Sequence, residues 1–117
     1  MAGRSVLARL QDISAAIEGA RDATAGLGLE EFAASWALKH AIQRALEIIS
    51  KASRHLPDDL KGRHASTDWR ALAAIGNQLR HAYQQIDDKI IFDVVQHDLA
   101  PLAEIVRIEI HRLIVKP

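Results

Sequence analysis

Cysteine is absent from this 117-residue chain, and aromatic residues make up only 4% of it. The lack of cysteine excludes disulfides, thiol nucleophiles and zinc sites that need cysteine ligands. No apolar run approaches the roughly 20 residues that a membrane-spanning helix requires. The sequence also lacks the basic segment, apolar segment and cleavage site of a signal peptide. We therefore expect a cytoplasmic protein that does not contact a membrane.

An excess of either charge is missing too, because 15 basic residues balance 15 acidic ones. Bulk electrostatics gives no reason to expect a nucleic-acid coat, so any RNA contact must be local. The six histidines form no H-x-x-x-H or H-E-x-x-H pair, and we expect neither a metal site nor a cofactor. His40 and His111 lie in apolar segments, which favours partly buried, hydrogen-bonded side chains.

Apolar residues recur every three or four positions in four long segments, a pattern that predicts amphipathic α-helices. The first runs from Ser5 to Gly26, the second ends before Pro57, the third begins at Trp69, and the fourth follows Asp98. Short helices are expected around Phe32 and in "KIIFDVVQH". The predicted fold is all-α, an antiparallel helical bundle of four main helices plus one or two short ones, with residues 1–117 as a single domain.

Local signals set the expected helix ends. Ser66, Thr67 or Asp68 is expected to cap the third helix, and Asp98 with Pro101 to start the fourth. The segment "DDLKGRHASTD" is predicted to be a loop. Trp36 and Trp69 are interpreted as core or helix-start anchors rather than base-stacking platforms, because the few aromatics are not interleaved with basic residues.

The last helix is unusually apolar, and its apolar residues cover more than one stripe of the helix surface. They are Ile105, Val106, Ile108, Ile110, Leu113, Ile114 and Val115. A single stripe is enough to pack one helix onto a bundle. A second apolar face needs another partner, and a homodimer is the simplest one.

The segment "GNQLRHAYQQID", residues 76 to 87, carries the densest chemistry. At about 100° per residue, Asn77, Arg80, His81, Tyr83 and Gln84 share one continuous arc of a helix. An apolar stripe, made of Leu72, Ile75, Leu79, Ala82 and Ile86, lies on the other side. A solvated helix face that happens to include a histidine would explain this pattern without any function.

A functional interpretation rests on three side chains of that arc. His81 is suited to proton transfer near neutral pH, and Asn77, one turn before it, is placed to orient the imidazole. Arg80 offers a permanently charged fork that suits phosphate. Together they form a candidate site for attack on a phosphodiester.

The chain resembles the HepT-like toxins of the HEPN superfamily in "LEEFAASWALKHAIQRALEIISKAS", "TDWRALAAIGNQLRHAYQQID" and "IFDVVQHDLAPL". The resemblance implies a dimeric helical bundle that cleaves RNA without a metal, at an arginine-to-histidine motif in the dimer cleft. It also implies a minimal nucleotidyltransferase antitoxin as partner, which silences the toxin by attaching AMP to a tyrosine. On this basis His81 matches the motif histidine, Asn77 the polar residue of the motif, and Tyr83 the AMP acceptor.

The sequence departs from the family pattern at two positions. Gly76 stands where the motif arginine is expected, and we hypothesise that Arg80 replaces it by reaching back into the groove beside the glycine. Lys51 stands where related sequences carry glutamate. It is either a neutral surface change or, with Arg44, a candidate phosphate contact.

Two other functions remain open at this point. The first is a catalytically inactive HEPN homologue that serves as a dimeric binding module for a nucleotidyltransferase. The second is a helical scaffold without any RNA contact. The missing motif arginine is the feature that keeps the first of these alternatives in view.

Overall fold

The computed structural model describes residues 5–82 and 87–115, apart from the side chains of residues 80 to 82. Within these ranges the chain forms seven α-helices and one π-helical turn, and no strand. They are α1 (Val6–Thr24), α2 (Leu29–Ala34), α3 (Trp36–Arg54), α4 (Asp58–Arg63), α5 (Trp69–Ala82), α6 (Asp88–Asp93), the π-helical turn (Val94–Asp98) and α7 (Leu99–Val115). The predicted all-α fold is confirmed.

Polar side chains and one glycine set the ends of the main helices. The Ser35 hydroxyl accepts a hydrogen bond from the backbone N–H of Leu38 and caps α3. At the start of α5, Asp68 accepts from the N–H of Ala71 over 3.0 Å, so Asp68 is the cap among the three predicted candidates. Gly26, just after α1, has a φ of 76°, a backbone conformation that glycine adopts without strain.

The four long helices pack in the order α5, α3, α1, α7, so α3 and α1 form the centre of the bundle. Their facing sides supply the most deeply buried apolar residues, including Leu10 and Ile13 of α1 with Ile42 and Ile49 of α3. These residues belong to the predicted apolar stripes. Burying one such side chain contributes about 1.5 to 3 kcal/mol, which fixes the relative positions of α1 and α3.

Three short helices are present in the described ranges, whereas the sequence predicted one or two. The additional one is α4, which lies in the segment that was predicted to be a loop. Asp58 and Asp59 occupy its first turn, where negative charge stabilises a helix, and Leu60 inserts into the core with 2% of its surface exposed. The prediction was wrong because one apolar residue gives no periodic signal.

The start of the last helix also differs from the prediction. Asp98 was expected to cap a separate helix, but the backbone stays helical from α6 through the π-helical turn into α7. Pro101 lies in the first turn of α7 and cannot donate the backbone hydrogen bond that would reach back to residue 97. A π-helical turn directly before the proline relieves this mismatch without ending the helix.

α7 presents two different faces. Leu102 and Val106 are buried in the bundle, while the outer face exposes Ile108, Leu113, Ile114 and Val115, with Ile114 62% exposed. The second apolar face that the sequence predicted is therefore present on the surface. Despite its composition, no helix in the described part of the chain is both long and apolar enough to cross a bilayer.

A buried carboxylate joins α7 to the segment between α4 and α5. Glu109 is 1% exposed, and its oxygens accept hydrogen bonds from Arg63 over 2.7 and 3.3 Å and from His64 Nε2 over 2.7 Å. The backbone carbonyl of His64 in turn accepts from the indole N–H of Trp69, the first residue of α5. This chain of bonds ties the start of α5 to α7.

Candidate active site

The predicted catalytic residues lie along the second half of α5. Asn77 is exposed, and Arg80 and His81 belong to the last turn of the helix, although their side chains are outside the described part of the structure. Asn77 and His81 are four positions apart in a continuous helix, so they follow one another on the same side of it. Tyr83, the predicted AMP acceptor, lies outside the described residues.

Ser50 of α3 holds this helix in place. Its hydroxyl donates to the carbonyl oxygen of Ala73 over 2.7 Å and accepts from the backbone N–H of Gly76 over 3.0 Å. Ser50 and Gly76 are both buried, so water does not compete for these bonds. The α5 backbone is thus fixed to α3 one turn before His81.

Contacts along α3 and α5 show that the two helices run in opposite directions. Near the end of α3, Ser50 meets the first half of α5. Near its beginning, Lys39 lies 3.6 Å from Asp88, which starts α6. The middle of α3, around Arg44, is therefore level with the last turn of α5 and with His81.

Arg44 and Lys51, the candidate phosphate contacts, are both exposed on α3. Arg44 is 73% exposed and lies 3.8 Å from Glu47, a distance that leaves its guanidinium largely in water. The seven positions between Arg44 and Lys51 correspond to nearly two turns of one helix face. Both cations are therefore available on the outer side of α3.

The end of α3 carries more positive charge than the balanced composition suggests. The pKa of His55 is lowered, mainly by Arg9 of α1 and further by partial burial and the cations Arg54, Lys51 and Lys61. A histidine responds in this way when positive charge accumulates around it. Sequence reasoning missed this local concentration because Arg9 comes from a different helix.

One prediction about side-chain environment is wrong: His40 and His111, expected to be partly buried, are exposed. Trp36 starts α3, which is one of the two roles predicted for it, and at 73% exposed it does not belong to the core. Trp69 fits its prediction better, since it begins α5 and packs against the core.

A cavity of about 550 Å³ separates α5 from α7. Its walls include Leu72 and Ile75 of α5 and Leu102 and Ile105 of α7, so it is largely apolar. Because this cavity lies between them, α5 depends on α3 and on the Trp69 bond for its position. The described residues contain no group of three histidine or acidic side chains that could hold a metal ion.

Comparisons with known proteins bear on these residues. A family model described as ribonuclease HepT-like matches residues 13–108 of the chain. "Probable ribonuclease HepT" of Thermococcus cleftensis is 36% identical over 93 residues, which cover 80% of this chain and 84% of the relative. A protein of Methanocaldococcus jannaschii that carries a provisional RNase name is 30% identical over 108 residues, 92% of this chain and 99% of its own length. No solved structure is a significant match.

Proposed function

We propose that this chain, which belongs to the ribonuclease HepT-like family, is a metal-independent endoribonuclease and the toxin of a toxin–antitoxin pair. The observation that carries the proposal is the position of Asn77, exposed on α5 one turn before His81. The matched family segment includes both residues. An RNA strand can approach this side of α5 because no other described helix covers Asn77.

The proposed reaction is an internal transfer at the RNA phosphate. The 2′-oxygen forms a bond to the neighbouring phosphorus while His81 takes its proton, and the bond from phosphorus to the 5′-oxygen breaks. The 5′-oxygen takes up a proton, which leaves a 2′,3′-cyclic phosphate and a 5′-hydroxyl. Arg80 stabilises the charge that develops on the phosphoryl oxygens, and Asn77 orients His81 or the phosphate.

Gly76 is the point at which this proposal departs from the family motif. The backbone N–H of Gly76 donates to the Ser50 hydroxyl, which holds the glycine against α3. We propose that Arg80 supplies the missing charge by reaching back beside Gly76. Arg80 lies one turn after Gly76, which keeps both positions on neighbouring strips of the helix surface.

The runner-up function is supported by the same glycine. Without a motif arginine, the chain would be a dimeric binding module that engages a nucleotidyltransferase but does not cleave RNA. A helical scaffold with no RNA contact is the remaining alternative. The binding module and the scaffold differ in whether the chain retains a nucleotidyltransferase during purification.

RNA cleavage by the purified wild-type chain in the presence of EDTA tests the proposed function. We expect products that end in a 2′,3′-cyclic phosphate, at a rate that EDTA does not change. Absence of cleavage, together with stable binding of a co-expressed nucleotidyltransferase, would establish the binding module instead. Loss of cleavage in EDTA with recovery on adding Mg²⁺ would contradict the metal-independent mechanism.

We also propose that the chain acts as a homodimer and that the outer face of α7 contributes to the interface. The Ile114→Glu substitution places a charge on this face, and we expect it to shift the protein to a monomer and to lower RNA cleavage at least tenfold. Light scattering measures the mass, and the cleavage assay measures the activity. The matched control is Glu104→Gln on the same helix, at an exposed position where polarity is already tolerated. A monomeric Ile114→Glu protein with full activity would remove the dimer from the mechanism.

Tyr83 is proposed as the acceptor of AMP from the nucleotidyltransferase partner. AMP would place bulk and negative charge close to Arg80 and His81 and so exclude the RNA phosphate. We expect the chain co-expressed with its partner to gain the mass of one AMP per subunit and to lose cleavage activity. The Tyr83→Phe variant should gain no mass and keep its activity, whereas AMP found on another residue would contradict the assignment.

A further inference from the structure

Trp36 has the largest exposed fraction among the large hydrophobic side chains in the described ranges, at 73%. Its indole ring stacks on the imidazole of His40, with ring centroids 4.2 Å apart and planes tilted by 35°. The carbonyl oxygen of Trp36 accepts a hydrogen bond from His40 Nδ1 over 2.8 Å, which fixes the imidazole and requires the proton on Nδ1. The two rings therefore form a preformed aromatic surface that is exposed to solvent.

This pair continues into a row of cations. Trp36, His40, Arg44 and Lys51 are spaced by four, four and seven residues, which places all four within about 80° of the α3 surface. All four are exposed. We call this set the α3 track. Glu47 lies within the same arc, and its carboxylate is 3.8 Å from the Arg44 guanidinium.

The charge at the Lys51 end of the track suits an extended polyanion. Beyond Lys51 the track reaches the cations around His55, which include Arg54 of α3 and Arg9 of α1. Asp58 and Asp59 are the nearest acidic residues in sequence, and Asp59 is engaged with Arg63. From Arg44 to Arg54, α3 therefore carries three cations and one acidic residue, Glu47.

The track also lies on the side of the molecule where the proposed reaction takes place. The face of α3 that packs on α5 holds Ser50, and the exposed track borders that face. On α5 the exposed residue next to the contact is Asn77. Trp36 is about 12 Å along the axis from Arg44, given a rise of about 1.5 Å per residue, and Arg44 is level with His81.

We propose that the α3 track binds single-stranded RNA, with one base stacked on the Trp36 and His40 rings and the phosphates that follow it contacted by Arg44 and Lys51. Every base offers a flat face to an aromatic ring, so this contact is tolerant of sequence and requires an unpaired strand. The proposal rests on the proposed ribonuclease function, because it concerns how that enzyme holds its substrate. It makes Trp36 a binding residue one or two nucleotides away from the bond that is cleaved.

The test uses a ten-residue 2′-O-methyl oligoribonucleotide, which lacks the attacking 2′-hydroxyl and cannot be cleaved. We expect Trp36→Ala to raise the Kd of the purified full-length protein for this probe about tenfold, and Trp36→Phe to keep most of the affinity. Trp69→Phe is the matched control, because Trp69 is anchored to the His64 carbonyl and lies off the track. With cleavable RNA, Trp36→Ala should raise KM by a similar factor and leave kcat within about twofold.

A second arm tests the cations. Lys51→Gln should weaken probe binding and reduce the dependence of affinity on salt by about one counterion. Arg21→Gln removes a cation of α1 that is also exposed, and it should change neither. Equal effects of the two substitutions would mean that the protein attracts RNA by general charge rather than along the track.

Three further results would overturn the proposal. The first is wild-type affinity of Trp36→Ala for the probe, and the second is failure of the wild-type protein to bind the probe. The third is a change in the mass of the Trp36→Ala protein by light scattering, which would assign the exposed indole to a contact between proteins. Binding through Trp36 without cleavage of ordinary RNA would instead refute the proposed ribonuclease function and leave the track in place.

Discussion

His81→Ala is expected to lower the rate of RNA cleavage by about 10² to 10⁴, the range that a positioned proton-transfer group contributes. The reason is that the polar residues within one turn before His81 on α5 cannot take over the proton. Asn77 and Gln78 carry neutral amides, and Arg80 remains protonated at any pH at which RNA is stable. The measurement is the initial rate of cleavage in EDTA, at saturating RNA, for the wild type and the variant.

The matched control for this prediction is Gln78→Ala. Gln78 is exposed, lies three positions before His81 and lines the cavity between α5 and α7. It should retain wild-type activity and the same helical content by circular dichroism. If His81→Ala cleaved RNA at the wild-type rate, proton transfer would have to be assigned to another residue or to solvent.

Arg80→Ala in the same assay decides how the chain compensates for Gly76. If Arg80 supplies the charge of the motif arginine, its loss should reduce kcat nearly as much as the loss of His81. An unchanged rate for Arg80→Ala beside an inactive His81→Ala would reject Arg80 as the replacement. His81 would keep its role in that case.

Glu109→Gln is expected to lower the stability of the fold far more than the loss of the exposed carboxylate of Glu104 on the same helix. The glutamine keeps the size of the side chain but removes its charge, and it directs an amide N–H group toward Arg63 or His64, both of which donate. We expect the free energy of unfolding to fall by about 3 kcal/mol, as for other buried charge pairs that lose one partner. For a chain of this size the Tm should fall by roughly 10 °C.

Glu104→Gln provides the comparison within the same helix. Glu104 pairs with Arg107 on the exposed side of α7, where water replaces a lost partner at little cost. Its Tm should stay close to that of the wild type. Similar losses for Glu104→Gln and Glu109→Gln would show that burial does not decide the contribution of these carboxylates.

The contribution of Glu109 should also depend on pH. The hydrogen bond from Arg63, with smaller contributions from His64 and Arg112, outweighs burial and lowers the pKa of Glu109 below its ordinary value of 4.5. A lowered folded-state pKa means that the stabilisation is fully present above pH 4.5 and is lost as the pH falls below it. The difference in Tm between wild type and Glu109→Gln should therefore shrink in acid.

Much of the fold could be predicted from the sequence because the helices of the centre are strongly amphipathic. Leu10, Ile13 and Ile17 recur at helical spacing on α1, and all three are buried. Asp68 and Pro57 carry local signals that act within a few residues, and they lie at helix boundaries as expected. Segments such as α4, in which Leu60 is the one buried apolar residue, depend on packing partners that are distant in sequence.

Distance in sequence also explains why the ion pair of Glu109, which lies outside the candidate site, was missed. Glu109 follows Leu102 and Val106 on the buried side of α7, and a charged residue in that register was a usable signal of a buried ion pair. Its partners Arg63 and His64, by contrast, are more than 40 residues away and have no pattern of their own. The exposure of Trp36 was unpredictable because a tryptophan at a helix start fits a core and a surface equally well.

The contact between Ser50 and Gly76 has a consequence for how this sequence can evolve. Both bonds of the Ser50 hydroxyl go to backbone atoms of α5, the carbonyl oxygen of Ala73 and the N–H of Gly76. An exchange of side chains on α5 leaves these backbone atoms in place, whereas loss of the Ser50 hydroxyl removes both bonds at once. Selection on the contact between α3 and α5 therefore acts more directly on position 50 than on the side chains of the candidate site.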